Sequence, residues 1–133
     1  MKLLDSTFLI DIIRKKLEAL SKLTEWKHEK IYTTRINVFE VVSGAFSIKS
    51  EKDREVRLSE ISVILHGLSI LDLDEKSTLK SAEIFGELNR RGTPIEPNDC
   101  LIAGIALSNG ITTIITKNTE HFKRIVGIKV EGY

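Results

Sequence analysis

The sequence predicts a three-layer α/β/α fold around a mostly parallel central sheet of about five strands. Three observations carry that reading. Short apolar or β-branched runs alternate five times with segments of helical periodicity, no hairpin signal joins two strand-like runs, and Ile111–Thr116 is β-branched throughout, as befits a strand covered on both faces.

Lys2–Asp5 reads as a short buried strand running directly into a helix that Asp5 or Ser6 can cap. Ile10, Ile13, Leu17 and Leu20 recur at helical spacing and give that helix an inner face, which continues loosely through Leu23 and Trp26 as a second helix or a bent extension. Lys30–Thr33 is the second strand, and Thr34 caps the helix that contains Glu40. A further helix begins near Ser50, carries Leu58, Ile61 and Leu65 inward, and ends at His66-Gly67.

Leu68–Leu71 is the third strand, and a long helix starts at Asp74 or Ser77, with an expected inner face of Leu79, Ala82, Phe85 and Leu88. Arg90, Arg91 and Gly92 close it, placing cations where the helix dipole favours them. Both prolines lie in the connection Thr93–Pro97, after which Asn98–Asn109 forms a buried helix. Ile111–Thr116 and Val126–Val130 are the last two strands.

A length of 133 residues, 41% hydrophobic and 29% charged with only two Pro and eight Gly, fits one globular domain spanning residues 1–133 and excludes disordered and fibrous classes. The formal charge of +1 announces no global attraction to nucleic acid, so any such contact must come from local cations, for which Arg14, Lys15, Lys16, Arg35 and Lys117 are candidates. The Arg14–Lys16 run also reads as an ordinary solvated helix face. The single cysteine, Cys100, excludes an internal disulfide and a thiolate zinc cage, and His28, His66 and His121 are too scattered for a zinc site. Asp5 interrupts any signal-peptide core, no apolar run is long enough for a membrane span, and the expected location is the cytoplasm.

Three carboxylates stand where apolar residues belong. Asp5 ends the first strand, Glu40 lies within Ile36–Val42, and Asp99 opens the run Cys100–Leu107. A buried carboxylate is costly unless it is paired or holds a cation, and no buried Lys or Arg matches these three. In open parallel sheets the functional crevice lies beyond the carboxyl ends of the strands, where Asp5, Glu40, Asp99 and the segment Thr116-Lys117-Asn118 can converge. Oxygen ligands without Cys or His favour Mg²⁺, with Mn²⁺ as the alternative. Capping is the competing role for Asp5 and Asp99, turn chemistry for Thr116 and Asn118, and surface exposure for Glu40; Asp11 reads as solvated.

The order and spacing of Leu3–Ile10, Thr34–Val41 with Gly44, Asn98–Ala103 with Ala106-Leu107, and Thr116–Asn118 leading to Phe122 and Gly127–Val130 resemble the PIN-domain ribonucleases, and within them the VapC-type toxins. The resemblance implies a single PIN-like domain in which metal-activated water hydrolyses RNA phosphodiesters. It implies Asp5, Glu40 and Asp99 as metal-binding acids, Thr116 as a hydroxyl near the metal, and Asn118 at a position where many members carry a fourth acid, with His121 where another often lies. It further implies a homodimer and a cognate antitoxin protein. The alternative is a PIN-like module that binds RNA or protein without cleaving, which the amide at position 118 keeps open.

Overall fold

The computed structural model describes residues 1–133. Five parallel strands, β1 (Lys2–Leu4), β2 (Ile31–Thr34), β3 (Ser69–Leu71), β4 (Thr113–Ile115) and β5 (Lys129–Glu131), lie in the order β3-β2-β1-β4-β5. The first element in the chain is thus the central strand. Successive side chains of a strand face opposite ways, so Leu3 joins one buried cluster with Ile114, Ile84, Leu88 and Ile102, while Leu4 joins a second with Ile115, Phe8, Leu9, Val41 and Trp26. Two cores on the two faces of one sheet make the three layers.

Seven helices supply those layers: α1 (Ser6–Ile13), α2 (Leu17–Glu25), α3 (Arg35–Phe46), α4 (Glu51–His66), α5 (Glu75–Arg90), α6 (Pro97–Ser108) and α7 (Thr119–Lys123). Thr34 caps α3 through a reciprocal capping box with Asn37, Ser50 caps α4, and Asp74 forms a second capping box with Ser77 on α5. Pro97 sits at the first helical position of α6, where its missing N–H costs nothing.

Three expectations need correction. The first helix does not carry its apolar stripe through Leu17: the chain breaks at Arg14–Lys16, where Lys15 takes φ 56°, and Leu17 is 80% exposed at the start of a separate helix. The last two strands are shorter or displaced relative to Ile111–Thr116 and Val126–Val130, because Gly127 with φ 92° turns the chain before β5 and Val126 faces outward.

The inner face of α5 is Ser77, Ser81, Ile84 and Leu88, while Leu79 and Phe85 point to solvent. The cause is close approach to α6: an added Cβ on Gly104 would stand 1.9 Å from Ser81 Oγ and 2.7 Å from Ser81 N. Only small side chains fit a crossing this tight, and larger apolar residues rotate outward. Gly104→Ala is expected to lose about 3 kcal/mol in urea unfolding, and Ser81→Ala is expected not to rescue it, because the Ser81 backbone obstructs the new methyl group as well as its hydroxyl.

Candidate metal centre

Asp5 follows β1 directly and is 4% exposed, at the carboxyl edge of the central strand. It occupies the cap position of α1, yet its side chain makes no capping bond. Instead Oδ1 accepts from Asn37 Nδ2 at 2.9 Å and Oδ2 accepts from Thr116 Oγ1 at 2.7 Å. Both donors are neutral. Burial pushes the Asp5 carboxyl above the ordinary range; hydrogen bonds from the Thr116 hydroxyl and the Ser6 N–H oppose this, and the nearby Asp99 and Glu40 charges add to it.

Glu40 reaches the same edge from the second turn of α3. It is half-buried, and its Oε1 accepts from Ser6 Oγ at 2.7 Å. Asp99 is 7% exposed in the first turn of α6, and its side chain leaves the helix uncapped to meet Asn118 Nδ2 at 3.1 Å and His121 Nδ1 at 2.8 Å through Oδ2. The capping roles considered for Asp5 and Asp99 are therefore not the ones these side chains play. No Lys or Arg pairs with Asp5, Glu40 or Asp99.

Asn37 connects the acids. Fully buried at the third position of α3, it accepts from Thr34 N and Oγ1 through its carbonyl oxygen, while its amide nitrogen donates to Asp5 Oδ1 and, at 2.9 Å, to Ser6 Oγ. A continuous chain of contacts thus runs from Glu40 through Ser6 and Asn37 to Asp5 and on to Thr116, which accepts from Asn118 N at 2.9 Å. All five sequence-predicted site residues stand along this one edge. Sequence reasoning missed Asn37 and Ser6, although an amide inside Ile36–Val42, three residues after a capping Thr, was a readable signal.

Asp11, expected to be solvated, is 5% exposed. Lys117 Nζ lies 2.8 Å from its Oδ2, Lys16 Nζ 3.7 Å from its Oδ1, and the Tyr133 hydroxyl donates to it at 2.7 Å. Burial works against the Asp11 charge, but hydrogen bonds from Lys117 and Tyr133 and the Lys117 and Lys16 charges outweigh it and hold its pKa below the ordinary value. Tyr133 also packs edge-on against Phe8 at 4.7 Å and carries Lys117 over its ring at 5.2 Å. Of the cations considered for nucleic acid, Lys117 and Lys16 are thus engaged by Asp11 and Arg35 by Asp72 at 2.8 Å, while Arg14 and Lys15 lie exposed.

No three of the Asp, Glu, His and Cys side chains converge on one point in this arrangement. Glu40 and Asp99 are turned toward protein partners, and a shared ion requires them to exchange those partners for it. The donor set nevertheless suits a hard cation: buried carboxylate oxygens, neutral supporting donors and no counter-charge.

A parallel five-stranded sheet with carboxylates gathered at its carboxyl edge defines a class of α/β nuclease-like proteins, and comparison with known proteins identifies the class. The PIN domain family profile matches residues 2–128. The tRNA(fMet)-specific endonuclease VapC of Salmonella typhimurium is 30% identical over 131 residues, covering 98% of this chain and 96% of the relative. Among solved structures, VapBC2 of Rickettsia felis bound to a promoter DNA fragment superposes with a TM-score of 0.90 at 26% identity, covering 99% of this chain and 98% of that one. DNA-bound VapBC of Salmonella typhimurium gives 0.87 at 30% identity, covering 98% and 96%. The chain belongs to the PIN-domain family and, within it, to the VapC ribonucleases. It is a nuclease, and the ribonucleases of this family depend on metal.

Three substitutions test the hydrogen bonds. Asn37→Ala is expected to lose about 2 kcal/mol in urea unfolding at pH 7 and at pH 4, because it strands buried acceptors. Asn37→Asp is expected to lose more at pH 7 and to recover as pH falls through the carboxylate range, because its penalty is repulsion against Asp5. Tyr133→Phe is expected to cost about 1.5 kcal/mol at pH 7, the worth of a hydrogen bond to a charged acceptor. Because the folded-state pKa of Asp11 is depressed, its stabilisation is complete above the ordinary carboxylate value and is lost as pH falls through the lower folded-state value, so the gap between Tyr133→Phe and wild type should narrow as pH falls below the ordinary carboxylate range.

Proposed function

We propose that this chain is a Mg²⁺-dependent endoribonuclease acting as the toxin of a toxin–antitoxin pair, with Asp5, Glu40 and Asp99 holding the metal. The observation that carries the reading is Asp5: a carboxylate almost fully buried at the end of the central strand, held only by neutral donors, with two further acids close enough to raise its pKa. Such a group persists through selection for function rather than for stability. When bound, a divalent cation neutralises the acids, activates water and offsets charge on the phosphodiester.

The residues of the chain do the rest. Thr116 and Asn37 fix both oxygens of Asp5, so that its lone pairs point outward at a constant angle. Asn118, bonded through its N–H to Thr116 and through its side chain to Asp99, ties the two strand-end acids to one loop. Glu40 is held by Ser6 alone and is the least buried of the three, which suits it to take a proton from an attacking water. The name of the Salmonella typhimurium relative makes initiator tRNA the first substrate to test.

Partner surfaces support the toxin reading. A groove of about 400 Å³ between α3 and α4 is lined by Val42, Leu58, Ile61, Leu65 and Ile70, and Val56 and Val63 are exposed on the same helix. Relatives of known structure are VapBC complexes bound to DNA. A cognate antitoxin and a second copy of this chain are the proposed partners.

Purified protein incubated with initiator tRNA and with a mixed RNA pool in Mg²⁺, Mn²⁺ or EDTA tests the reading. Cleavage is expected with either metal, none in EDTA, and a loss of at least about 10³-fold in Asp5→Asn and Asp99→Asn, with melting temperatures in metal-free buffer equal to or above that of wild type. RNA and metal binding without cleavage would instead identify a PIN-like binding module, a reading that the amide at position 118 keeps open.

A further inference from the structure

A cavity of about 230 Å³ lies between α1, α3 and α4. Its base is apolar, with Ile13 and Ile61 among the side chains that form it, and its charged lining is Arg14 at the end of α1, Arg57 on α4 and Glu40 on α3. Glu40 belongs to two places at once: it accepts from Ser6 beside Asp5, and it forms one wall of this cavity.

The two guanidinium groups and the carboxylate share the cavity without pairing. Arg14 has no carboxylate partner, and Arg57 has only Glu60, at 3.5 Å and without a hydrogen bond, so that its Nε is buried and unpaired. Arg54, three residues earlier on the same helix, shows the contrast, since its guanidinium is committed to Ile48 O at 2.9 Å. Native folds rarely leave a buried N–H without an acceptor, and a guanidinium is a fork of donors that matches the oxygens of a phosphate.

The cavity also accounts for a glycine. Gly44 lines it one turn beyond Glu40 within α3, where an added Cβ would meet nothing within 4 Å. Alanine is the better helix former, and no neighbour forbids it. Glycine leaves bare backbone on that wall, so a bulky group can pass close to the helix.

We propose that Arg14 and Arg57 form a subsite for a backbone phosphate of the RNA next to the one that is cleaved, and that Gly44 keeps its entrance clear. The inference rests on the reading of Asp5, Glu40 and Asp99 as the place of RNA cleavage. Glu40 repels the anion from its own wall and so directs it to the two guanidinium groups, while the apolar base suits the ribose that comes with it. Phosphate contacts fix the register of a strand on a protein. Arg14 and Arg57 are therefore positioning residues, which set the bond that lies over the acids.

The test is fluorescence anisotropy of a labelled single-stranded RNA with the full chain, in EDTA so that the strand stays intact, at a series of salt concentrations. Wild-type affinity is expected to fall steeply with salt. Arg14→Gln with Arg57→Gln should weaken binding about tenfold or more at low salt and flatten the slope of log affinity against log salt by about 1.4, or about 0.7 for each lost contact. Arg57→Lys should keep the slope and lose part of the affinity, because the charge stays and the fork goes. Gly44→Leu should weaken binding with every cation in place, and Lys129→Gln, at the amino end of edge strand β5, should change neither quantity. Arg14 is exposed and Gly44 has no neighbour to displace, so Arg14→Gln and Gly44→Leu decide the matter even if Arg57→Gln melts early. If those two variants bind with wild-type affinity and slope, or if Lys129→Gln flattens the slope as much as Arg14→Gln does, the subsite is overturned, and cleavage of RNA by wild type in Mg²⁺ leaves the ribonuclease reading in place. If wild type neither binds nor cleaves RNA, that reading is itself overturned and the subsite falls with it.

Discussion

The burial of Asp5 without a counter-charge is the constraint around which the rest of the site is arranged. The central strand of a parallel sheet must be apolar on both faces, and Leu3 and Leu4 meet that demand by entering the two cores. The next residue marks the strand's end, and its side chain emerges at the carboxyl edge of the parallel sheet, where α1, α3 and α6 begin. A carboxylate there meets no lysine or arginine, and neutral groups hold it. Asn37 is buried because Asp5 needs a donor, Thr34 is both strand end and helix cap because Asn37 needs its own partners, and Thr116 faces inward because the second Asp5 oxygen needs a hydroxyl.

Asp11 shows what the same side chain becomes when the fold does supply cations. It lies six residues further on and is equally buried, but Lys117 and Lys16 flank it and Tyr133 donates to it. Its pKa falls where that of Asp5 rises. The pairing quenches the charge and ties α1 to the loop after β4 and to Tyr133, so Asp11 works as a structural fastener. The charge of Asp5 is left uncancelled, and only such a charge can recruit an ion.

Much of this was legible in the sequence, and what was not has a physical cause. Strand ends, caps at Thr34, Ser50 and Asp74, and the anomalous acids at 5, 40 and 99 are local signals, each read from a few neighbours. The α5 face was misread because its burial is decided by the thickness of α6 at Gly104, a partner about twenty residues away, and small polar Ser77 and Ser81 displace Leu79 and Phe85 from the interface. Asp11 was misread for a related reason: Lys117 and Tyr133, more than a hundred residues later, are its partners, and no helical periodicity announces them. Pattern reading finds what a residue is; long-range contact decides what it meets.

The choice of neutral donors around Asp5 also explains why two of the remaining site residues are not acids. A fourth and fifth carboxylate at positions 118 and 121 would add repulsion to a cluster that already raises the Asp5 pKa. Asn118 keeps a metal-competent oxygen while supplying N–H groups that hold Thr116 and Asp99 in place, and His121 keeps a lone pair while carrying no negative charge. Groups without negative charge at these positions add no repulsion to the buried Asp5 carboxyl.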